Sequence, residues 1–348
     1  MLLPPLHRRS FLASTALVAA AVVAPTLRAQ NKLEKVKLAL AVDGEAALYH
    51  LPLTIADQLG YFRAEGLELE ISDLVGGARS PQTVPGSAVD VFAGAFESTI
   101  SHQSKNQFYQ AFVQQGRAPQ IALGISARNL PAYQSVAELR GKLIGVPALG
   151  TPAHMLANVV LARAGVPSEE VRFIGVGTAV NALQALRAGQ LDAISNIDPV
   201  MGMLEQKGEV KIIADTRTLK GTLEVFGSAM PAACLYASQE FIQKYPNTVQ
   251  ALTNAMVHGL KWLQTAGPSD IIKLVPESYF LGDRATYLAA FNKSRETISI
   301  DGLLPEDSPK TALKALGSFD PAVKAAKIDL ARTYTNVFAL RAKQRFRA

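Results

Sequence analysis

Cysteine is almost absent from this chain, since Cys234 is the only one among 348 residues. A single cysteine cannot form an internal disulfide, so the fold must hold without one. The run from Ala232 to Tyr236 is apolar and strand-like around it. This setting indicates a small buried core residue rather than a reactive thiol.

Motifs for metal or covalent chemistry are missing as well. The four histidines beyond residue 29 show no metal-ligand spacing, and no H-E-x-x-H motif occurs. The chain has no G-x-S-x-G nucleophile elbow, and Gly175-Val176-Gly177 lacks the third glycine of a phosphate-binding loop. We therefore expect no cofactor, no bound metal and no enzymatic activity.

A strong excess of charge of one sign is also lacking. The formal net charge is +6, but three of the 35 basic residues lie in the first 29, which contain no acid. The remainder holds 32 basic and 29 acidic residues, and its basic cluster is confined to residues 341–347. Nucleic acid is therefore not an expected partner.

The N-terminus has the pattern of an export signal. Arg8-Arg9 precedes an uncharged stretch, Phe11 to Ala24, which is shorter than the roughly 20 apolar residues that span a bilayer. The pair matches the core of a twin-arginine signal, and Leu27-Arg28-Ala29 approximates a cleavage site. We expect residues 1–29 to be removed on export to the periplasm; an ordinary secretory signal or an uncleaved anchor is the alternative. No cysteine lies nearby to carry a lipid anchor.

Residues Leu139–Pro199 predict strand, helix, strand, helix, strand in close succession. Thr151 and Pro152 suit the start of the first helix, and Gly165 and Gly189 suit the ends of the two helices. Strands separated by helices of this length pair in parallel through right-handed crossovers. Such a sheet binds ligands at the carboxyl ends of its strands.

Two breaks in the pattern predict a protein of two lobes. They lie at residues 129–133 and 221–231. We expect residues 30–130 plus 229–348 to form lobe I and residues 131–228 to form lobe II, with a ligand cleft between them. The predicted class is α/β, with two mixed, mostly parallel sheets joined by a two-segment hinge.

The order and spacing of several short motifs resemble a known family. They include His50-Leu51-Pro52, Gly60-Tyr61-Phe62, Leu139-Arg140-Gly141-Lys142 and Ala188-Gly189-Gln190-Leu191-Asp192. Together they are similar to periplasmic solute-binding proteins of the nitrate/sulfonate/taurine group, which share a fold with thiamine-pyrimidine precursor proteins. The resemblance implies a type II periplasmic binding protein fold, a monomer, and delivery of a small-molecule solute to an ABC permease in the inner membrane.

One departure from that family concerns the stretch Arg79–Gly86. Relatives place a smooth helix there, but Pro81 and Pro85 cannot both lie within a helix, since each interior proline costs about 3 kcal/mol. The stretch borders the predicted cleft, so the identity of the ligand does not carry over from the family.

Candidate ligand contacts in lobe I follow its predicted strands. Tyr49 could stack on a flat ligand and His50 could donate to an anion, unless both lie in an ordinary surface loop. Glu97 could bind an ammonium or hydroxyl group, or it could cap the next helix alongside Ser98. Arg128, near the first break, could pair with an anionic ligand or stay solvated.

Candidates in lobe II lie mainly where helices begin. Thr151 starts a helix whose free N–H groups suit a carboxylate or sulfonate, and a plain N-cap role is compatible with this. His154, one turn further, faces either the cleft or solvent. Thr178 is a contact or only a cap, and Asn196 is a stronger candidate than Asp198, which precedes Pro199 and is most simply a cap.

These patterns favour a solute-binding protein of an ABC transporter. An anionic or aromatic-acid, sulfonate-like solute is the preferred class, because the strand ends offer more surface than nitrate needs. An enzyme of the pyrimidine-precursor-synthase type is an alternative on the same fold. A sensor that reports a solute to a signalling partner is another, and the sequence does not separate it from a transporter subunit.

Overall fold

Strands alternate with helices over residues 33–42, 47–73 and 89–348, the part of the chain described by this computed structural model. The strands are β1 Glu34–Leu40, β2 Leu67–Asp73, β3 Val91–Ala95, β4 Tyr109–Gln114, β5 Ile121–Ser126, β6 Leu143–Val146, β7 Arg172–Gly175, β8 Ala193–Ile197, β9 Val210–Asp215 and β10 Ala233–Ser238. The helices are α1 Leu51–Gln58, α2 Tyr61–Ala64, α3 Glu97–Gln103, α4 Pro152–Arg163, α5 Val180–Arg187, α6 Val200–Gln206, α7 Leu219–Phe226, α8 Gln239–Lys244, α9 Pro246–Thr265, α10 Pro268–Leu274, α11 Arg284–Ser294, α12 Ser308–Gly317, α13 Pro321–Ala325 and α14 Val337–Phe346. The predicted signal segment 1–29 and the stretch that contains Pro81 and Pro85 lie outside the described residues.

The strands form two five-stranded sheets. The first has the order β2-β1-β3-β10-β4 and the second the order β7-β6-β8-β5-β9. In each sheet four strands run one way, while β10 in the first and β5 in the second run the other way. The predicted α/β class with two mixed sheets is therefore confirmed.

The two reversed strands follow from how the chain crosses between the sheets. β4 ends at the carboxyl edge of the first sheet, and residues 115–120 lead directly into β5 of the second. β9 ends at the corresponding edge of the second sheet, and residues 216–232 lead back into β10. Because each crossing enters its new sheet at the carboxyl edge, the next strand must run antiparallel to its neighbours. The crossings therefore join the edges where parallel sheets hold their ligands.

The unit predicted at Leu139–Pro199 is present as β6-α4-β7-α5-β8. β6 pairs in parallel with both β7 and β8, as the helix-length connections require. Thr151 caps α4, and Pro152 occupies its first turn. Gly165 and Gly189 follow the two helices with φ of 68° and 74°, a left-handed conformation that glycine adopts at low cost.

The change of sheet does not coincide with the predicted boundary at residue 131. β5 belongs to the second sheet, so the chain leaves the first sheet between Gln114 and Ile121. The stretch 129–133 lies beyond β5, where the Asn129 side chain donates to the carbonyls of Gly189 and Leu191. Leu33–Ala348 forms one compact unit, and its division into two lobes stays a prediction.

The C-terminal third is helical and covers the first sheet. The long helix α9 packs on α1 and on α14. α11 packs on α6, beside the second sheet. There the Lys293 ammonium lies 3.0 Å from a carboxylate oxygen of Asp215, at the end of β9. Within the described residues, no helix combines the length and apolar character that crossing a membrane requires.

Candidate functional site

Most of the candidate residues lie at the facing edges of the two sheets. Glu97 follows β3, and Asp198 follows β8, each at the carboxyl end of its strand. The same edges carry the first residues of the reversed strands, because Ala95 pairs with Ala233 and Ile197 pairs with Ile121. One narrow cavity is lined from both halves, by Leu48, Tyr49, Gln120, Ile197, Asp198 and Ser294.

Tyr49 and His50 lie in a short 3-10 turn before α1, and both are buried rather than exposed in a loop. Their rings meet edge to face, with centroids 5.4 Å apart. The His50 Nε2 lies 2.6 Å from the carbonyl oxygen of Val42. Burial lowers the pKa of His50 to about 4, so the imidazole is neutral near pH 7. His50 therefore brings no positive charge to an anion, and its donation of a hydrogen bond to a ligand stays a prediction.

Glu97 begins α3 and is only 6% exposed. Burial raises the pKa of its carboxyl to about 7, and a hydrogen bond from its own backbone N–H offsets part of that rise. The carboxyl is close enough to Cys234 and Tyr236 to raise the pKa of each, beyond the larger effect of their own burial. Ser98 shares a hydrogen bond with the Tyr236 hydroxyl, so it helps to hold the Tyr236 side chain in place near Glu97.

Thr151 and His154 are engaged in the start of α4. The Thr151 hydroxyl accepts from the His154 backbone N–H at 3.4 Å and donates to the Ala148 carbonyl at 2.8 Å. The His154 Nδ1 accepts from the Gly150 N–H at 3.1 Å, and its ring packs edge to face on Phe173. The capping role predicted for Thr151 is present, and its ligand contact stays a prediction.

Asn196 fixes the turn between β7 and α5. Its Nδ2 donates to the Gly177 carbonyl at 2.9 Å, and its Oδ1 accepts from the Ile197 N–H at 2.9 Å. Both ends of this buried amide are therefore committed to the fold. Thr178 is half-buried in the same turn, but the residue in the N-cap position of α5 is Ala179, so the cap role considered for Thr178 was wrong.

Asp198 is paired with a buried arginine that sequence reasoning missed. Arg217, 1% exposed, lies 3.3 Å from Asp198 and also contacts Glu205 at 2.8 Å and Asp215 at 2.7 Å. Burial raises the pKa of Asp198, and Arg217 opposes that rise. Burial also acts on Asp215, but the bonds from Arg217 outweigh it and lower its pKa to about 2. The sequence signal was available, because Asp215 and Arg217 stand two residues apart at the end of a strand.

Arg128 is placed away from the other candidates. β5 runs antiparallel to β8, so its last residues lie beside the first residues of β8, at the far edge of the sheet. The exposed Arg128 side chain donates to the Arg187 carbonyl at 2.7 Å, at the end of α5. At this edge Arg128 lies away from the other candidates, so its predicted contact with an anionic ligand is not supported. The sequence did not reveal that β5 runs antiparallel to β8.

The end of β4 and the first crossing, residues 115–120, carry buried polar groups that the sequence patterns did not single out. Within the described part of the chain, hydrogen-bond partners are lacking for Gln114 Oε1, Gln120 Oε1, Arg117 Nε and both polar atoms of the Gln115 side chain. Gln120 also has φ of 59°, a conformation uncommon outside glycine. The polar run Gln114-Gln115-Gly116-Arg117 directly after an apolar strand was the signal that could have found them. Buried groups of this kind occur where a ligand or water completes the site.

Metal ions in proteins are held by clusters of histidine, cysteine and carboxylate side chains. In the described ranges, no group of three or more such side chains could hold a metal ion. The remaining polar groups of these edges can accept and donate hydrogen bonds, which suits binding of a small organic molecule.

Known proteins share this fold of two sheets joined by two crossings. The family model described as "NMT1/THI5 like" matches residues 47–268, which include strands of both sheets and both crossings. The chain belongs to the NMT1/THI5-like family. The similarity to the nitrate/sulfonate/taurine group that the motifs indicated is confirmed by this match and by related structures.

The relatives range from close to distant. A protein of Bordetella bronchiseptica RB50 has a structure with TM-score 0.86 and 52% identity, covering 90% of this chain and 98% of that one. YtlA of Bacillus subtilis, named as a binding protein, is 20% identical, with 72% of each chain covered. The alkanesulfonate-binding protein SsuA of Xanthomonas axonopodis pv. citri, bound to MOPS, has TM-score 0.64 and 16% identity, covering 87% of this chain and 98% of that one.

The fold is also found in a protein of another class. The desulfurization enzyme DszB has TM-score 0.60 and 15% identity to this chain, covering 90% of this chain and 99% of its own. At that identity the likeness concerns the fold alone. The fold is therefore compatible with both binding and catalysis, and function has to be argued from the site.

Proposed function

We propose that this chain is the periplasmic solute-binding component of an ABC importer. Its two sheets would form two lobes, the crossings 115–120 and 216–232 would form the hinge, and a small solute would be held between the facing edges. Closure on the solute would present the paired lobes to a permease in the inner membrane. The export signal predicted at residues 1–29 and the predicted monomer fit this role.

One observation supports the proposal most strongly. The family match extends over both sheets and both crossings, and the crossings join the carboxyl edges where such sheets bind ligands. The polar groups at these edges are buried and belong to both sheets, as Glu97 after β3 and Asp198 after β8 show. A site shared by two halves lets a ligand favour the closed form by its differential affinity for that form.

The solute predicted from the sequence is an anionic or aromatic acid of the sulfonate type. The start of the twelve-residue helix α4 supports an acidic group on the solute, since the positive end of a helix dipole favours negative charge. An enzyme is the second candidate, because DszB shares the fold. A solute sensor would use the same binding site, so it differs from the importer subunit only in its partner.

Native mass spectrometry of the exported protein tests the proposal. We expect one small molecule per chain, released unchanged when the protein unfolds, and loss of uptake of that molecule in cells that lack the gene. A bound molecule that the protein converts to a product would favour the enzyme. Normal uptake in the deletion strain with a changed transcriptional response would favour the sensor.

A further inference from the structure

Glu97 is a buried acid whose charge no neighbouring cation balances within the described residues. Two carboxylates are among the buried side chains there, Glu97 and Asp198. Asp198 has Arg217 at 3.3 Å, whereas no lysine, arginine or histidine of the described chain forms an ion pair with Glu97. A buried charge without a partner is costly, so such a group is either protonated or completed by something that binds.

A further hydrogen-bond acceptor lies at the same end of the first sheet as Glu97. Gln114 and Cys234 are directly paired across β4 and β10, so their side chains share one face of the first sheet. Ala95, two residues before Glu97, pairs with Ala233 beside Cys234, which places Glu97 at this end of the sheet. The Gln114 Oε1 there is buried and has no partner among the described residues. Two acceptor groups, one of them a carboxyl group, are therefore present at this end of the first sheet.

The arginines near these edges differ in what binds them. Arg217 is held by three carboxylates, and Arg128 lies at the far edge of the second sheet. Arg117, on the first crossing, donates through Nη2 to the Glu296 carbonyl at 2.7 Å, and its buried Nε has no partner among the described residues. Within the described chain none of the three forms an ion pair with Glu97, so the Glu97 carboxyl is available to a cationic group of a ligand.

We propose that Glu97 recognises a protonated or hydrogen-donating nitrogen on the solute, with Gln114 Oε1 as a second acceptor. The solute would be an amine- or amidine-bearing molecule, and an acid group elsewhere on it would be compatible with the start of α4. This inference rests on the proposed solute-binding function and names the chemical class of the solute. The raised pKa of Glu97, about 7, agrees with an acid that lacks a charge partner until a ligand arrives.

Three matched probes test the inference by calorimetric titration at pH 8. They are benzylamine, benzoate and 4-(aminomethyl)benzoate, which share a ring and differ in the amine and the acid. We expect the two amines to bind the wild-type protein more tightly than benzoate does. In Glu97→Gln their dissociation constants should rise about ten-fold or more, because a charge-assisted hydrogen bond contributes 1.5–3 kcal/mol or so.

Glu68→Gln is the matched control, since Glu68 is an exposed acid on β2 and should leave the affinities unchanged. Circular dichroism of each variant checks that it is folded. Binding of benzoate with no response to either amine overturns the inference, and so does equal affinity of Glu97→Gln and wild type for the amines. Failure of both amines to bind the wild-type protein also overturns it. None of these results affects the proposed function, which fails if the exported protein carries no small molecule.

Discussion

Glu97 and Asp198 are two buried acids at equivalent places in the two halves, yet their surroundings differ. Each follows a strand at its carboxyl end, and burial raises the pKa of each. Asp198 lies against Arg217 within a cluster of acids, so its half of the site is complete without a ligand. Glu97 has no such partner within the described chain, and we propose that a ligand completes its half. The comparison separates a carboxylate that holds the fold together from one that is available for binding.

The largest change in stability should come from substituting Arg217. Arg217→Met would leave Asp198, Asp215 and Glu205 without their shared guanidinium. Breaking a buried pair from one side typically costs about 3–5 kcal/mol, and partial exposure of Glu205 and Asp215 moderates this here. The free energy of unfolding from urea titration measures the loss. A change below about 1 kcal/mol would mean that the cluster does not stabilise the second half, and Arg128→Met is the exposed control.

For Glu97→Gln we expect a smaller change in the free energy of unfolding, in the stabilising direction at pH 8. The folded state holds the Glu97 proton more tightly than the unfolded chain, so wild-type stability should fall as pH rises from 4.5 to about 7. The fall amounts to at most about 3.5 kcal/mol, from roughly 1.4 kcal/mol per pKa unit. Glu97→Gln should lack this fall and be the more stable protein at pH 8.

Urea titrations at pH 5 and pH 8 check the sign by comparing wild type with Glu97→Gln. His50 contributes a slope of opposite sign between about pH 4 and 6.5, because its pKa is lowered, and this slope is common to both proteins. Taking the difference between the two proteins removes it. A Glu97→Gln protein that is less stable than wild type at pH 8 would show that the Glu97 carboxylate is satisfied within the fold.

Much of the fold was predictable, and the reasons lie in local patterns. The β6-α4-β7-α5-β8 unit follows from helix spacing, the Thr151 cap and glycines at the helix ends. The reversal of β5 was not predictable, because the sequence of a strand does not tell which of two sheets it joins or in which direction it runs. The difference between the predicted boundary at residue 131 and the change of sheet after Gln114 comes from that one missing piece of information, and so does the position of Arg128 at the far edge.

The site was predictable only as a set of strand ends. Position after a strand identified Glu97 and Asp198, but it could not tell which acid has a cation beside it. That difference depends on Arg217, which approaches Asp198 from the end of β9. Similarly, His50 and Asn196 are near the site in sequence, but His50 Nε2 and both polar atoms of the Asn196 amide bind backbone groups of Val42, Gly177 and Ile197.

The pH dependence of amine binding tests the central claim most directly. A cation should prefer the ionised carboxylate of Glu97, whose pKa is about 7 in the folded protein without ligand. The dissociation constant of benzylamine, measured by calorimetry from pH 5.5 to 8, should therefore decrease about ten-fold or more in the wild-type protein. It should stay weak and nearly constant in Glu97→Gln. A constant affinity in the wild type, or the same profile in both proteins, would contradict a solute site built on Glu97.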